Sequence, residues 1–73
     1  MKTIFHSVNG RTFEIHFAIS TVASHDLILA WALEEGVRVP ASASITVANA
    51  DEIETAFAQL AQRVKELLDQ FTE

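Results

Sequence analysis

The dipeptide Asn9-Gly10, set between KTIFHSV and RTFEIHFAI, constrains this chain more than any other feature of it. Two-residue hairpin turns that match the twist of their strands need positive φ at the central positions, and Asn-Gly adopts that conformation at little cost. The flanking residues are largely β-branched or aromatic, as strand residues are. The spacing therefore predicts a hairpin over residues 2–19. A turn of this kind also sets the register, with Val8 opposite Arg11, His6 opposite Phe13, Phe5 opposite Glu14, Ile4 opposite Ile15 and Thr3 opposite His16. Successive strand side chains point to opposite faces. His6 accordingly joins Ile4, Val8, Phe13, Ile15 and Phe17 on an apolar face, while His16 joins Thr3, Phe5, Ser7, Thr12 and Glu14 on the other.

That separation bears directly on chemistry. A zinc site takes three or four protein ligands, and His6 and His16 already point away from each other. His25 could join either of them only through tertiary folding. With no cysteine in the chain, thiolate ligands and disulfides are excluded. Glu34-Glu35 and Asp51-Glu52-Glu54 lack the oxygen-ligand spacing of a calcium loop. The glycines, Gly10 and Gly36, form neither a phosphate-binding loop nor a dinucleotide fingerprint. No cofactor and no metal is expected. Ser24-His25-Asp26 has the composition of a catalytic triad, but neighbours in sequence cannot converge as a nucleophile, its base and an orienting acid. Glu14 and His16 are the one pair on a shared face, so a minimal enzyme would use them as acid and base.

Downstream of the hairpin, STVASHDLILAWALEEG is rich in helix formers, starts with the capping candidates Ser20 and Ser24, and ends at Gly36. It predicts a helix near residues 21–35. On such a helix Val22, Leu29, Ala32 and Leu33 lie on one side while Leu27, Ile28 and Trp31 cover much of the other, which calls for burial on both. Residues 37–48 read as extended, in one interrupted strand or two short ones. Pro40 biases Val39 away from helix, and Ala41, Ala43, Ile45 and Val47 alternate with Ser42, Ser44 and Thr46.

The last element predicts a helix near residues 50–71. Asn49 and Glu52 are spaced as a capping pair, and Ile53, Phe57, Leu60, Val64, Leu67 and Phe71 recur at four- and three-residue steps. Lys65 and Asp69 are placed for a same-face ion pair. The stretch ITVANADEIETAFAQL, residues 45–60, resembles the strand, cap and helix unit found in many α/β proteins, including fold-type-I aminotransferases and metal-dependent glyoxalase-like proteins. The resemblance implies that local unit alone; no cofactor, substrate or metal role comes with it.

Seventy-three residues suit one domain, residues 1–73, with 49% apolar side chains to form a core. The expected fold is α+β, a small single-layer antiparallel sheet packed by two helices in the order β-β-α-β(-β)-α. Ten acidic against five basic residues give a net charge of −5 without a cationic cluster, which disfavours direct nucleic-acid binding. With no cysteine and no long apolar run, the expected location is cytoplasmic, away from the membrane. These features point to a small intracellular protein-interaction module, an inhibitor or adaptor acting by steric occupancy of a larger protein. An obligate homo-oligomeric structural subunit is the alternative, so the partner is another protein or a second copy. The expected contact residues are Phe5, His16, Ile28 and Trp31, with Glu14 and Glu34 orienting the partner.

Overall fold

The computed structural model describes residues 2–73, which form four strands and one helix. Strands β1 (Lys2–Val8), β2 (Arg11–Val22), β3 (His25–Glu34) and β4 (Val37–Val47) make one antiparallel sheet in the order β1-β2-β3-β4. A 3-10 turn, Ala50–Glu52, leads into helix α1 (Ile53–Phe71). The class is α+β as expected, but the order is β-β-β-β-α, with one helix where two were predicted. No helix among the described residues is long and apolar enough to cross a membrane.

The predicted helix over residues 21–35 is the correction. That segment completes β2, turns at Ala23-Ser24 and returns as β3, with Val22 paired to His25 and Glu14 to Leu33. Its leucines and alanines favour a helix locally, yet their sizes alternate with a period of two. Ile28, Ala30 and Ala32 are buried on one face of the sheet, and Leu27, Leu29, Trp31 and Leu33 lie on the other. Burial between two neighbouring strands outweighs a propensity difference of a few tenths of a kcal/mol per residue. Gly36, read as a helix stop, instead completes a two-residue turn with Glu35.

The β1–β2 register is the one the Asn9-Gly10 turn predicts, from Val8 opposite Arg11 to Thr3 opposite His16. Asn9 and Gly10 have φ of 51° and 76°, and Glu35 and Gly36 have 52° and 80°, the signature of type I′ turns. The middle turn differs, with positive φ at Ala23 (56°) but not at Ser24. Residues 37–47 form one strand interrupted by a bulge. Trp31 pairs with Ser42 and Ala32 with Val39, so Pro40 and Ala41 lie between successive rungs. Proline lacks a donor for the ladder, and a bulge in an edge strand accommodates it.

The inner face of the sheet is graded. Phe13, Ile15 and Phe17 of β2 are bulky, whereas β3 and β4 place the small Ala30, Ala32, Ala41 and Ala43 among Ile28, Val39, Ile45 and Val47. The helix packs against β4 and β3 more extensively than against β1 and β2. Small side chains let its backbone approach on that side, and the phenylalanines fill the wider gap on the other. Phe13 meets Phe71 edge-on with ring centres 6.3 Å apart, and Phe17 meets Phe57 at 5.3 Å. The most buried helical line is Ala56, Leu60, Val64 and Leu68, flanked by the partly buried Ile53, Phe57 and Leu67 of the predicted seam. Asn49 precedes the helix in extended conformation without a side-chain capping bond; the Glu52 amide donates to the Asn49 carbonyl instead.

Polar contacts tie the rim of this core. His6 Nε2 lies 3.1 Å from Asp69 Oδ1, so Asp69 reaches β1 where Lys65 was the expected partner. Asn9 Nδ2 donates to Thr72 Oγ1 at 2.9 Å, attaching the first turn to the end of the helix. Arg11 donates through Nε and Nη2 to the two carboxylate oxygens of Glu34, at 2.8 and 2.6 Å, closing the sheet at the other side of that turn.

Candidate functional site: the open face of the sheet

The helix covers one face of the sheet and no described residue covers the other. Pairing carries four rows of three or four side chains across this open face. Phe5, Glu14, Leu33 and Arg38 form one row, and Thr3, His16, Trp31 and Ser42 the next. Ala18, Leu29 and Ser44 follow, then Ser20, Leu27 and Thr46. The face is uneven. β3 contributes a ridge of Leu27, Leu29, Trp31 and Leu33, while β2 beside it carries Ser20, Ala18, His16 and Glu14. Phe5 is 67% exposed and Leu29 38% exposed.

His16 is the centre of the polar part. Its ring stacks on Trp31 with centres 5.9 Å apart, and its Nε2 lies 3.1 Å from Glu14 Oε2. Thr3 Oγ1 is 3.4 Å from Nδ1 on the opposite side of the ring. Arg38 lies over the outer edge of Trp31, its guanidinium carbon 5.8 Å from the ring centre. Hydroxyl, imidazole and carboxylate thus occur in sequence, but the hydroxyl contact is at the long limit for a hydrogen bond and the group sits on an open sheet surface. The arrangement orients Trp31 and His16 as a flat aromatic pair with a carboxylate at one end and a guanidinium at the other.

Four of the six expected contact residues therefore share this face: Phe5, Glu14, His16 and Trp31. The other two do not. Ile28 is fully buried on the helix side, because the strand turns it away from Leu29 and Trp31, so it is unavailable to a partner. Glu34 also lies on the helix side, engaged by Arg11. That bidentate bond holds the Glu34 carboxyl below its ordinary range, with burial opposing the shift and the charge of Arg11 adding to it. The same contact raises Arg11. Leu27, Leu29, Leu33 and Arg38 were not singled out in the sequence. The size alternation from Leu27 to Leu33 could have found the three leucines, since it places them on one face of a strand; it carries no sign of Arg38.

Among the described residues no group of three or more histidine, cysteine, aspartate or glutamate side chains is gathered to hold a metal ion. His6 and His16 stand on opposite faces of the sheet, and His25 is at the far hairpin, its Nδ1 3.2 Å from Ser24 Oγ. The fold and this surface define a class: a four-stranded antiparallel meander closed by one helix, with an amphipathic face left open. Comparison with family models, with curated proteins and with solved structures gave no match to the chain.

Proposed function

We propose that this chain is a protein-interaction module whose contact surface is the open sheet face, and that it acts by occupying a protein surface rather than by turning over a substrate. The observation that carries the reading is the β3 ridge of Leu27, Leu29, Trp31 and Leu33, which with exposed Phe5 gathers large apolar side chains on a face that no described element covers. Aromatic residues and arginine are enriched where protein interfaces concentrate their binding energy, and Phe5, Trp31 and Arg38 supply that chemistry here. Glu14 and Arg38 flank the apolar centre as a polar rim that would orient a partner. Neither the stacked His16 nor its carboxylate is enclosed from water, which favours recognition over acid–base catalysis.

The test uses Trp31, the sole tryptophan of the chain, as both probe and target. A protein that associates through this face shifts Trp31 emission to shorter wavelength. Trp31→Asp weakens that association at least about a hundredfold, the scale of a central aromatic anchor. Helix substitutions at exposed Gln62 leave it unchanged. Association that survives Trp31→Asp, with the sheet intact by circular dichroism, places the contact elsewhere and overturns the reading.

A further inference from the structure

The open face is complementary to itself, and from that complementarity we infer that its occupant is a second copy of this chain, packed face to face about a two-fold axis that runs along the strands between β2 and β3. The inference rests on the reading of this face as a protein contact and adds the identity and geometry of the partner.

Such an axis reverses the order of strands across the interface. β3 of one copy lies over β2 of the other, and β4 lies over β1. The ridge on β3 then enters the low half of β2, with Leu29 over Ala18 and Leu27 over Ser20, and Trp31 comes over the His16 ring. Arg38 comes over the exposed ring of Phe5, a cation with an aromatic face. A two-fold interface makes every such contact twice, which the Leu27–Leu29 part of the ridge beside Ala18 and Ser20 satisfies. Packed sheets lie about 10 Å apart with strands inclined by about 30°, a geometry that keeps central rows in register.

Charge agrees with a second copy. The chain carries a net −5, yet the strand positions of the open face hold one carboxylate, Glu14, and one guanidinium, Arg38. Two copies therefore approach this way without like-charge repulsion, whereas the solvent side of α1 presents exposed Glu54, Glu66 and Asp69. β2 and β3 overlap over roughly nine residues and β1 meets β4 over about four, which at about 4.8 Å between strands and about 3.3 Å per residue gives an overlapping face of about 410 Å². Two such faces bury about 800 Å², the size of a weak, concentration-dependent association.

The chain lacks cysteine, so thiols can be placed at will. Within one copy Phe5 and Arg38 lie on opposite edge strands, about 14 Å apart by strand spacing. Across the inferred interface they meet. A bismaleimide with a reach of about 8–10 Å should link an equimolar mixture of Phe5→Cys and Arg38→Cys chains into dimers, and link neither variant with itself. Light scattering of the unsubstituted protein should rise toward twice the 8.1 kDa chain mass as concentration increases. Leu29→Arg, a change at an exposed position, and Ala18→Trp, which fills the groove, should each weaken the dimer at least tenfold.

A monomer throughout the range from about 1 to about 500 μM overturns the inference. So does a dimer in which the Phe5→Cys chain, or the Arg38→Cys chain, is linked to another copy of itself, or one that both interface substitutions leave intact. If the chain is monomeric but another protein still binds in a Trp31-dependent manner, the interaction module stands and only the second copy falls. If no Trp31-dependent association occurs at all, both fall.

Discussion

Ile28 and Leu29 are neighbours of similar chemistry with opposite environments, one fully buried and the other 38% exposed. The pair separates strand from helix at single-residue resolution. Ile28→Ala removes packed methyl groups beneath α1 and should cost about 2–5 kcal/mol in denaturant unfolding, whereas Leu29→Ala should cost less than about 1 kcal/mol in dilute solution. Equal costs would argue against the alternation. Arg11 and Glu34 give a second prediction, in pH. The folded Glu34 carboxyl is depressed, so it is more strongly acidic folded than unfolded. Its contribution is therefore present above the ordinary carboxylate pKa and is lost as pH falls through the lower folded value. Glu34→Gln should be less stable than the parent at neutral pH, and acid titration of thermal unfolding should bring the two together. A gap that widens in acid would contradict the pairing. Of these residues, sequence spacing alone placed Phe5, Glu14 and His16 correctly, because Asn9-Gly10 dictates their register. It misplaced Ile28, since a stretch apolar on both sides carries no sign of which side is inside.

At the scale of elements, the three hairpin turns differ in how visibly they are encoded. Asn9-Gly10 announces itself, and Glu35-Gly36 uses the same backbone form with glycine only at its second position. Ala23-Ser24 has no glycine, asparagine or proline, although Ala23 sits at φ 56°. This unmarked turn is why β2 and β3 read as one helix. A left-handed alanine costs roughly 1–2 kcal/mol, so Ala23→Gly should stabilise the protein by about 0.5–1 kcal/mol after the added freedom of the unfolded chain is subtracted. Gly36→Ala should destabilise it by a similar amount, at φ 80° with open space around the new methyl group. Thermal melts of both variants test the pair, and the same sign for both would be inconsistent with these turns. The terminal helix was legible because its apolar spacing persists over its length. The helix start was less so, since the capping residues Asn49 and Glu52 enter through a 3-10 turn that uses backbone groups instead.

For the whole molecule, one 19-residue helix in 73 residues sets the expected spectrum. Far-ultraviolet circular dichroism should report about a quarter helix by residue count, with antiparallel sheet dominating. A value near one half would restore the second helix. The α+β class and the terminal helix follow from local patterns, whereas the open face follows from topology: four consecutive hairpin-linked strands leave one helix to cover two faces. No local pattern carries that information. The Pro40 bulge has a consequence on a longer scale still. β4 is a sheet edge, and from Ala41 to Val47 it is uncharged and ends in the strand formers Ile45, Thr46 and Val47, which leaves it able to accept another strand. Pro40 withholds a donor and, with Ala41, breaks the spacing of the rungs. A strand arriving from solution can follow this edge only part of the way, so stacking through edges is shortened while association through the open face is left unaffected.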